Sequence, residues 1–295
     1  MKKNIILILV CLIFPPVMAA GDMFEPMLLV KTDWLDYYPS WTADGRFIYF
    51  AREKGKTCSI WKYDIRTSVM SLFIDWESFV SQPAVSRDGK MLAFVSTKSG
   101  NSEIYALRTD MPGDFTQLTK GNGWNETPAW SPDGKYLTYF KNDRKNGYEI
   151  WIYDMEKKTE WKFTQEKCFN FSPAWSPDGK RIAYCSNFAG TLDIWIKEFT
   201  QNSKPYRFTD FDGFELSPAW SPDGKYLAFS SDKSRYDNLW IKGFANRTYL
   251  RQLTSGQFSD LKPSFSPDGR KIVFNSNRQG KYDDLYIIDI SEGLK

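Results

Sequence analysis

Five acidic or amide side chains recur at one position, three residues before a Pro-Ala or Pro-Ser pair: Asp36, Asn125, Asn170, Glu215 and Asp260. An aromatic residue stands one or two positions before each of them: Trp34, Trp124, Phe169, Phe214 and Phe258. Aromatic faces beside carboxylate and amide oxygens suit a peptide, a sugar or a cationic side chain. We therefore predict these ten residues as a candidate binding site. The alternative is that the polar groups are only solvated and the aromatic rings only cover the ends of strands.

Two further chemistries are open to the same residues. Glu215 and Asp260 could act as a pair in glycoside hydrolysis, which needs two carboxyl groups about 5–9.5 Å apart. An oxygen-ligated cation such as Ca²⁺ is the other option, but three carboxylates are few for an ion that takes six to eight oxygen ligands. We predict no metal site.

Histidine is absent from the 295 residues. This excludes Ser-His-Asp and Cys-His catalysis as well as histidine-ligated metals. The sequence also has no nucleophile elbow and no nucleotide or zinc motif, so we expect neither an enzyme nor a cofactor. Of the four cysteines, Cys58, Cys168 and Cys185 follow the first segment. Cys185 is expected in the core, and a Cys168–Cys185 bridge stays open.

Residues 1–20 resemble a secretory signal peptide. Lys2 and Lys3 precede an apolar run from Ile5 to Phe14, and small residues follow near position 20. An uncleaved anchor is the alternative. Without the two lysines, 37 of the 39 basic residues remain against 36 acidic ones, which gives no general attraction to nucleic acid or anionic lipid. We expect a periplasmic or otherwise exported protein with no nucleic-acid partner and no membrane span after cleavage.

Six Asp-Gly turns reveal a repeat. They begin at Asp44, Asp88, Asp133, Asp178, Asp223 and Asp268, with spacings of 44, 45, 45, 45 and 45 residues. A fixed period of this length with strands inside it predicts an all-β, six-bladed β-propeller with four-stranded antiparallel blades. The expected boundaries are 33–75, 76–119, 120–164, 165–209, 210–254 and 255–290, in one domain spanning 21–295. The sixth repeat lacks a fourth strand, and residues 27–32 are expected to supply it and close the ring.

The repeated Pro-Ala-Trp-Ser-Pro-Asp-Gly-Lys segment, as at residues 218–225, resembles the TolB-type, WD-like propeller repeat. The resemblance covers roughly residues 25–290. It implies a propeller that binds a protein or peptide in the cell envelope, which is the function that we expect, with a monomer as the expected state. Carbohydrate binding or carboxylate-pair hydrolysis is the alternative. TolB proteins carry a further domain before the propeller, and functions of that domain are not expected here.

In this topology the loops between repeats and the loops between second and third strands share one face, around the channel mouth. The loops between second and third strands are rich in basic residues, which predicts a positively charged rim that steers a partner. The alternative is a rim that is only solvated. The basic residues are Arg52, Lys54, Lys56, Lys98, Lys141, Arg144, Lys145, Lys233, Arg235, Arg278 and Lys281.

Overall fold

The computed structural model describes residues 24–142, 147–166 and 168–294. The predicted signal peptide lies outside these ranges. Within them, 24 strands form six sheets of four antiparallel strands, and no helix is present. The predicted six-bladed, all-β propeller is therefore confirmed. Nothing in this part of the chain is a helix of the length and apolarity that a bilayer crossing requires.

Each blade runs from an innermost strand at the central channel to an outer strand at the rim. The innermost strands are β2 Leu35–Trp41, β6 Val80–Val85, β10 Trp124–Trp130, β14 Asn170–Trp175, β18 Glu215–Trp220 and β22 Asp260–Phe265. The second strands are β3 Phe47–Lys54, β7 Met91–Ser96, β11 Tyr136–Asn142, β15 Arg181–Ser186, β19 Tyr226–Ser231 and β23 Lys271–Ser276. The third strands are β4 Thr57–Asp64, β8 Glu103–Arg108, β12 Tyr148–Asp154, β16 Asp193–Glu198, β20 Asn238–Gly243 and β24 Asp284–Asp289. The outer strands are β5 Val69–Ile74, β9 Met111–Gln117, β13 Thr159–Lys162, β17 Tyr206–Arg207, β21 Leu250–Gln252 and, in blade 6, β1 Met27–Val30.

The Asp-Gly turn joins the first two strands of every blade. In blade 5, the Asp223 carboxylate accepts hydrogen bonds from the Ser221 hydroxyl at 2.7 Å and the Lys225 amide at 3.0 Å. Gly224 then takes a φ of 71°, a conformation that glycine adopts at little cost. The recurring aspartates are thus turn residues.

The amino-terminal strand closes the ring. Strand β1 pairs antiparallel with β24, and Val30 stands opposite Leu285. Strand β22 of blade 6 in turn contacts β2 of blade 1, so the inner strands form a continuous ring. The predicted closure by residues 27–32 is confirmed, with the strand itself ending at Val30.

The hydrophobic core lies between neighbouring blades. The tryptophan of an innermost strand reaches across each of three junctions and donates its indole N–H to the preceding inner strand: Trp41 to the Ser264 carbonyl, Trp130 to Ala84 and Trp220 to Ala174, at 3.0–3.2 Å. A small residue after the proline leaves room for this approach. These tryptophans therefore pack between blades.

Candidate functional site at the channel mouth

A backbone irregularity recurs on all six innermost strands. The residue immediately before the proline has a positive φ between 50° and 55° in every blade: Tyr38, Gln82, Thr127, Ser172, Ser217 and Lys262. The strand register skips this residue and the proline, which is a β-bulge. Proline has no N–H to give to the ladder and suits such a site. Bulges redirect side chains, and these six side chains all line the channel.

The channel encloses a cavity of about 640 Å³. Its wall is made of prolines, small residues, hydroxyl groups and the edges of the inner-strand tryptophans. Lys262 and Arg87 are the only charged side chains among its described lining residues. Both reach across the lumen: the Lys262 ammonium lies 3.5 Å from the Ser172 hydroxyl, and the Arg87 guanidinium donates to the Pro177 carbonyl at 2.7 Å.

A second cavity of about 500 Å³ opens from the channel toward the loops that join the blades. We call it the mouth pocket. It is lined by Tyr38, Glu126, Thr127, Phe140, Tyr148, Phe169, Phe171, Ser172, Asn187, Leu192 and Lys262. The Tyr148 ring lies 4.9 Å from the Phe169 ring and 5.4 Å from the Phe140 ring, measured between centroids. Opposite this aromatic wall, the Lys262 ammonium sits 4.6 Å above the Tyr38 ring. The mouth pocket therefore combines aromatic surface with one acid and one base.

The five predicted polar site residues do not line the channel. Asp36, Asn170, Glu215 and Asp260 have no exposed surface, and Asn125 is 1% exposed. The expectation of an accessible polar ring at the mouth is therefore corrected. The physical reason is the bulge: two positions after each of these residues the backbone changes its alternation, so the pre-proline side chain faces the lumen while the predicted residue stays within the wall.

Each of the five side chains has a polar contact inside the wall instead, and that of Asn125 crosses to the preceding blade. Asp36 accepts two from Arg52, Asn125 donates to Glu103 at 2.8 Å, and Asp260 accepts one from Arg278 at 2.5 Å. Glu215 accepts from the Ser231 hydroxyl at 3.1 Å. Asn170 contacts the Cys168 thiol at 3.4 Å. The backbone amides of Asp36, Asn125, Glu215 and Asp260 also donate to carbonyls of the preceding blade at 2.7–2.8 Å.

Burial changes the acidity of these carboxyl groups. It raises the pKa of Asp36 and Asp260, an effect that the neighbouring arginines reduce. Burial also raises the pKa of Glu215 to about 7, while hydrogen bonds from Thr209 and Ser231 act in the opposite direction. A raised pKa is common in a general acid, but a fully buried Glu215 and Asp260 cannot reach a glycosidic bond. The carboxylate-pair hydrolysis option is therefore not supported by this geometry.

The aromatic candidates, by contrast, reach the surface. Trp34, Trp124, Phe169 and Phe214 are 41–50% exposed, and Phe258 is half-buried. The structure adds a sixth member in blade 2, the half-buried Phe79, directly before Val80. Sequence reasoning missed it because the polar residue that marks the other blades is replaced by this valine. We call these six side chains the mouth aromatics.

The loops between second and third strands do share this face. The Asn187 side chain accepts from the Phe169 amide at 2.8 Å, and Asp232 accepts from the Phe214 amide at 2.6 Å. The basic rim is smaller than expected, because Arg52 is buried and the side chain of Arg278 is only 12% exposed. Arg144 and Lys145 lie outside the described residues.

Most remaining rim cations cover aromatic rings rather than standing free. Lys54 lies 5.3 Å from the Trp34 ring, Lys98 4.4 Å from Trp76 and Lys233 4.2 Å from Phe211. Blade 4 differs, because Phe188 stands in place of this cation and is 53% exposed. The rim is therefore basic except beside Phe169, where it is aromatic.

All three described cysteines are free, so Cys168 and Cys185 are not bridged. Cys185 is fully buried, as expected of a core residue. Within the described ranges, no group of three or more cysteine or acidic side chains is arranged to hold a metal ion.

The architecture and the site define a class of protein, a closed six-bladed propeller with a cavity along its channel and a second pocket at the mouth. A family model described as the TolB beta propeller domain matches residues 17–160 and 139–295. The chain therefore belongs to the TolB beta propeller domain family.

Individual relatives match more narrowly. The Tol-Pal system protein TolB of Desulfosudis oleivorans is 39% identical over 61 residues, 21% of this chain and 14% of that protein. The match thus spans about a seventh of that relative's length. A protein of Agrobacterium tumefaciens described as a TolB superposes with a TM-score of 0.71 at 21% identity, covering 89% of this chain and 93% of the other. Oligogalacturonate lyase of Vibrio parahaemolyticus gives 0.60 at 14% identity, covering 92% and 98%. These two likenesses show the fold alone.

Proposed function

We propose that this protein is an exported, non-catalytic propeller that binds a protein or peptide partner in the cell envelope at its channel mouth. The observation that carries the proposal is the exposure of the mouth aromatics: four of the six are at least 41% exposed, and one of these four, Phe169, also lines the mouth pocket. Monomeric proteins seldom expose apolar side chains in groups without a function, and aromatic residues dominate the energetics of protein interfaces. Family membership supports the same assignment, since the TolB relative is named for the Tol-Pal system.

The mouth pocket suits an extended segment of a partner better than a flat surface. Phe169 and Tyr148 offer apolar faces, and Lys262 and Glu126 offer one charge of each sign. A short peptide could place a hydrophobic side chain on the aromatic wall while its polar groups meet the two charges. The basic rim would favour approach of an acidic partner.

Site-specific photocrosslinking tests the proposal directly. A benzoylphenylalanine at position 169 should form discrete adducts in an envelope fraction. An excess of wild-type protein without the photoreactive residue should reduce the yield of these adducts. The same excess of the Trp124→Ala/Phe214→Ala variant should not. The matched control places the same photoreactive residue at position 161, where Trp161 is 38% exposed on outer strand β13. The assignment would be refuted if positions 169 and 161 gave the same adducts. It would also be refuted if the variant reduced the yield of adducts as much as wild type does.

Glycan binding is the second candidate, because exposed aromatic faces also stack on sugar rings. Measurements with a glycan array would favour it if wild type binds and Phe169→Ala does not. No binding on the array, together with crosslinking to a protein, would exclude the glycan candidate and support the peptide-binding proposal.

A further inference from the structure

The charge along the channel is positive, whereas the acidic residues predicted at the mouth would have made it negative. Among the described residues that line the channel cavity, the charged side chains are Lys262 and Arg87, and no carboxylate is present. Arg87 is exposed in the turn between β6 and β7, whereas Lys262 also lines the mouth pocket, so the two cations add charge of one sign at different depths of the channel. Such a channel repels cations and attracts anions. This inference does not depend on the proposed function.

Four residues form the neck where the channel cavity meets the mouth pocket: Tyr38, Thr127, Ser172 and Lys262 line both spaces. All four are pre-proline residues in the left-handed backbone conformation. Holding non-glycine residues in that conformation costs on the order of 1–3 kcal/mol each, and such strain is concentrated at binding sites. Four of the six bulges therefore contribute a side chain to the neck.

Donor groups are gathered at the neck. The Lys262 ammonium lies 3.5 Å from the Ser172 hydroxyl, two blades away, and rests on the Tyr38 ring. The Thr127 hydroxyl is buried and has no hydrogen-bond partner among the described residues. A buried hydroxyl without a partner is costly, which a ligand that accepts its proton would relieve. An ammonium and two hydroxyls around one space fit an anion with several acceptor atoms.

The nearest acid is already engaged. Glu126 lines the mouth pocket together with Lys262, and its carboxylate accepts a hydrogen bond from the Gln82 amide at 3.3 Å. The oxygen of the Gln82 amide in turn accepts from the backbone N–H of Thr127 at 2.6 Å. Glu126 is therefore held toward blade 2. Within the described part of the chain, Lys262 contacts the Ser172 hydroxyl and the Tyr38 ring and forms no ion pair with a carboxylate.

We propose that the neck of the channel is a carboxylate-binding site, with the Lys262 ammonium as its charged contact and the Ser172 and Thr127 hydroxyls as donors. A charge-assisted pair of this kind is stronger than a neutral hydrogen bond and works best where water is partly excluded. The carboxylate belongs either to a small free acid or to an acidic side chain of a peptide that enters from the mouth pocket.

Lys262→Gln is the decisive variant. Glutamine already occupies the equivalent bulge in blade 2, where Gln82 has a φ of 54° against 55° for Lys262, so the backbone can accept the substitution. The matched control is Lys56→Gln, which removes the same charge from an exposed loop. Binding is measured by calorimetric titration and amide chemical shifts at constant ionic strength, with sodium acetate and sodium chloride compared.

We expect wild type and Lys56→Gln to bind acetate with the same affinity within twofold, and Lys262→Gln to bind at least tenfold more weakly. Acetamide and chloride should leave the neck resonances unchanged. Ser172→Ala and Thr127→Val, which keep the charge, should each weaken acetate binding by about two- to fivefold.

A capped peptide with a single glutamate distinguishes the two sources of the carboxylate. If it binds at least tenfold more tightly than acetate, and its glutamine counterpart does not, the ligand is a peptide side chain. If it binds no better than acetate, the ligand is a small acid. Wild type that binds neither, that responds equally to chloride, or that keeps its affinity in Lys262→Gln would overturn the proposal.

Discussion

The Arg52 guanidinium donates hydrogen bonds to both oxygens of the Asp36 carboxylate, from Nε at 2.7 Å and from Nη2 at 2.9 Å, and both side chains are buried in blade 1. The Thr32 hydroxyl, just beyond the closing strand, donates to the same carboxylate at 2.9 Å. The backbone N–H of Asp36 donates to Asp283 of blade 6 at 2.8 Å. This pair therefore stands at the junction where the ring closes.

Removing one member of this pair should be costly. Arg52→Met leaves the Asp36 carboxyl buried without its counter-charge, and we expect the free energy of unfolding to fall by about 3–5 kcal/mol. The Asp36→Leu/Arg52→Met double variant should lose less than the sum of the single variants, because it leaves no unpaired charge. Denaturant unfolding of all four proteins measures the coupling.

The exposed pair of Arg46 and Asp64 serves as the control. Their atoms are 3.0 Å apart, but the Arg46 side chain is 43% exposed. Arg46→Met should cost no more than about 1 kcal/mol. Equal losses in Arg46→Met and Arg52→Met would contradict the role assigned to Arg52.

The contrast between these arginines shows what the sequence can reveal. The period of the Asp-Gly turns is a pattern that can be read directly along the chain, so the six four-stranded blades could be predicted from it. The partner of a buried charge depends on strand register. Arg52 looked like a loop cation, although pairing of β2 with β3 places it opposite Asp36.

The candidate site was predicted in part for a related reason. The mouth aromatics lie at or just before the start of each innermost strand, and five of the six were predicted. The lumen residues were missed because no residue type encodes a positive φ at Thr127 or Lys262. The signal that could have found them is the proline that follows each one, since proline within a strand marks a bulge.

Glu215 should make stability depend on pH. Its pKa is about 7 in the folded protein, mainly because of burial, against 4.5 as its ordinary value. Between these values the folded state keeps a proton that the unfolded state has released, so stability falls as pH rises from about 4.5 to about 7. Asp193, which is bound to Arg207, faces the same space and favours the protonated form of Glu215.

Glu215→Gln removes this contribution. The unfolding free energy of wild type relative to the variant should drop by about 3 kcal/mol between about pH 4.5 and about pH 8. The relative value isolates Glu215 from other buried carboxyl groups. Glu198→Gln is the control, since its carboxylate side chain is 40% exposed and pairs with Arg181 at the surface. A relative stability that does not change with pH would contradict the assignment.

The closing strand offers two adjacent tests. Val30 is 3% exposed and packs with Phe50, Tyr63 and Leu285, whereas Leu28 of the same strand is 40% exposed. Val30→Ala should lower the unfolding free energy by about 2 kcal/mol, because it removes buried methyl groups and leaves a cavity. Leu28→Ala should cost less than half as much. A larger loss at Leu28, measured by denaturant unfolding, would show that closure does not depend on the inner face of β1.

Two tryptophans at equivalent positions separate hydrogen bonding from packing at the blade junctions. Trp220 donates its indole N–H to Ala174 at 3.2 Å, whereas the buried indole N–H of Trp175 has no partner within the described residues. Both substitutions to phenylalanine remove similar apolar area, but only Trp220→Phe leaves a carbonyl, that of Ala174, without its hydrogen-bond donor. Trp220→Phe should therefore cost about 1 kcal/mol more than Trp175→Phe in unfolding followed by circular dichroism. Equal costs would mean that the tryptophans stabilise the junctions through packing alone, and that the carbonyl of Ala174 finds another donor when the indole is removed.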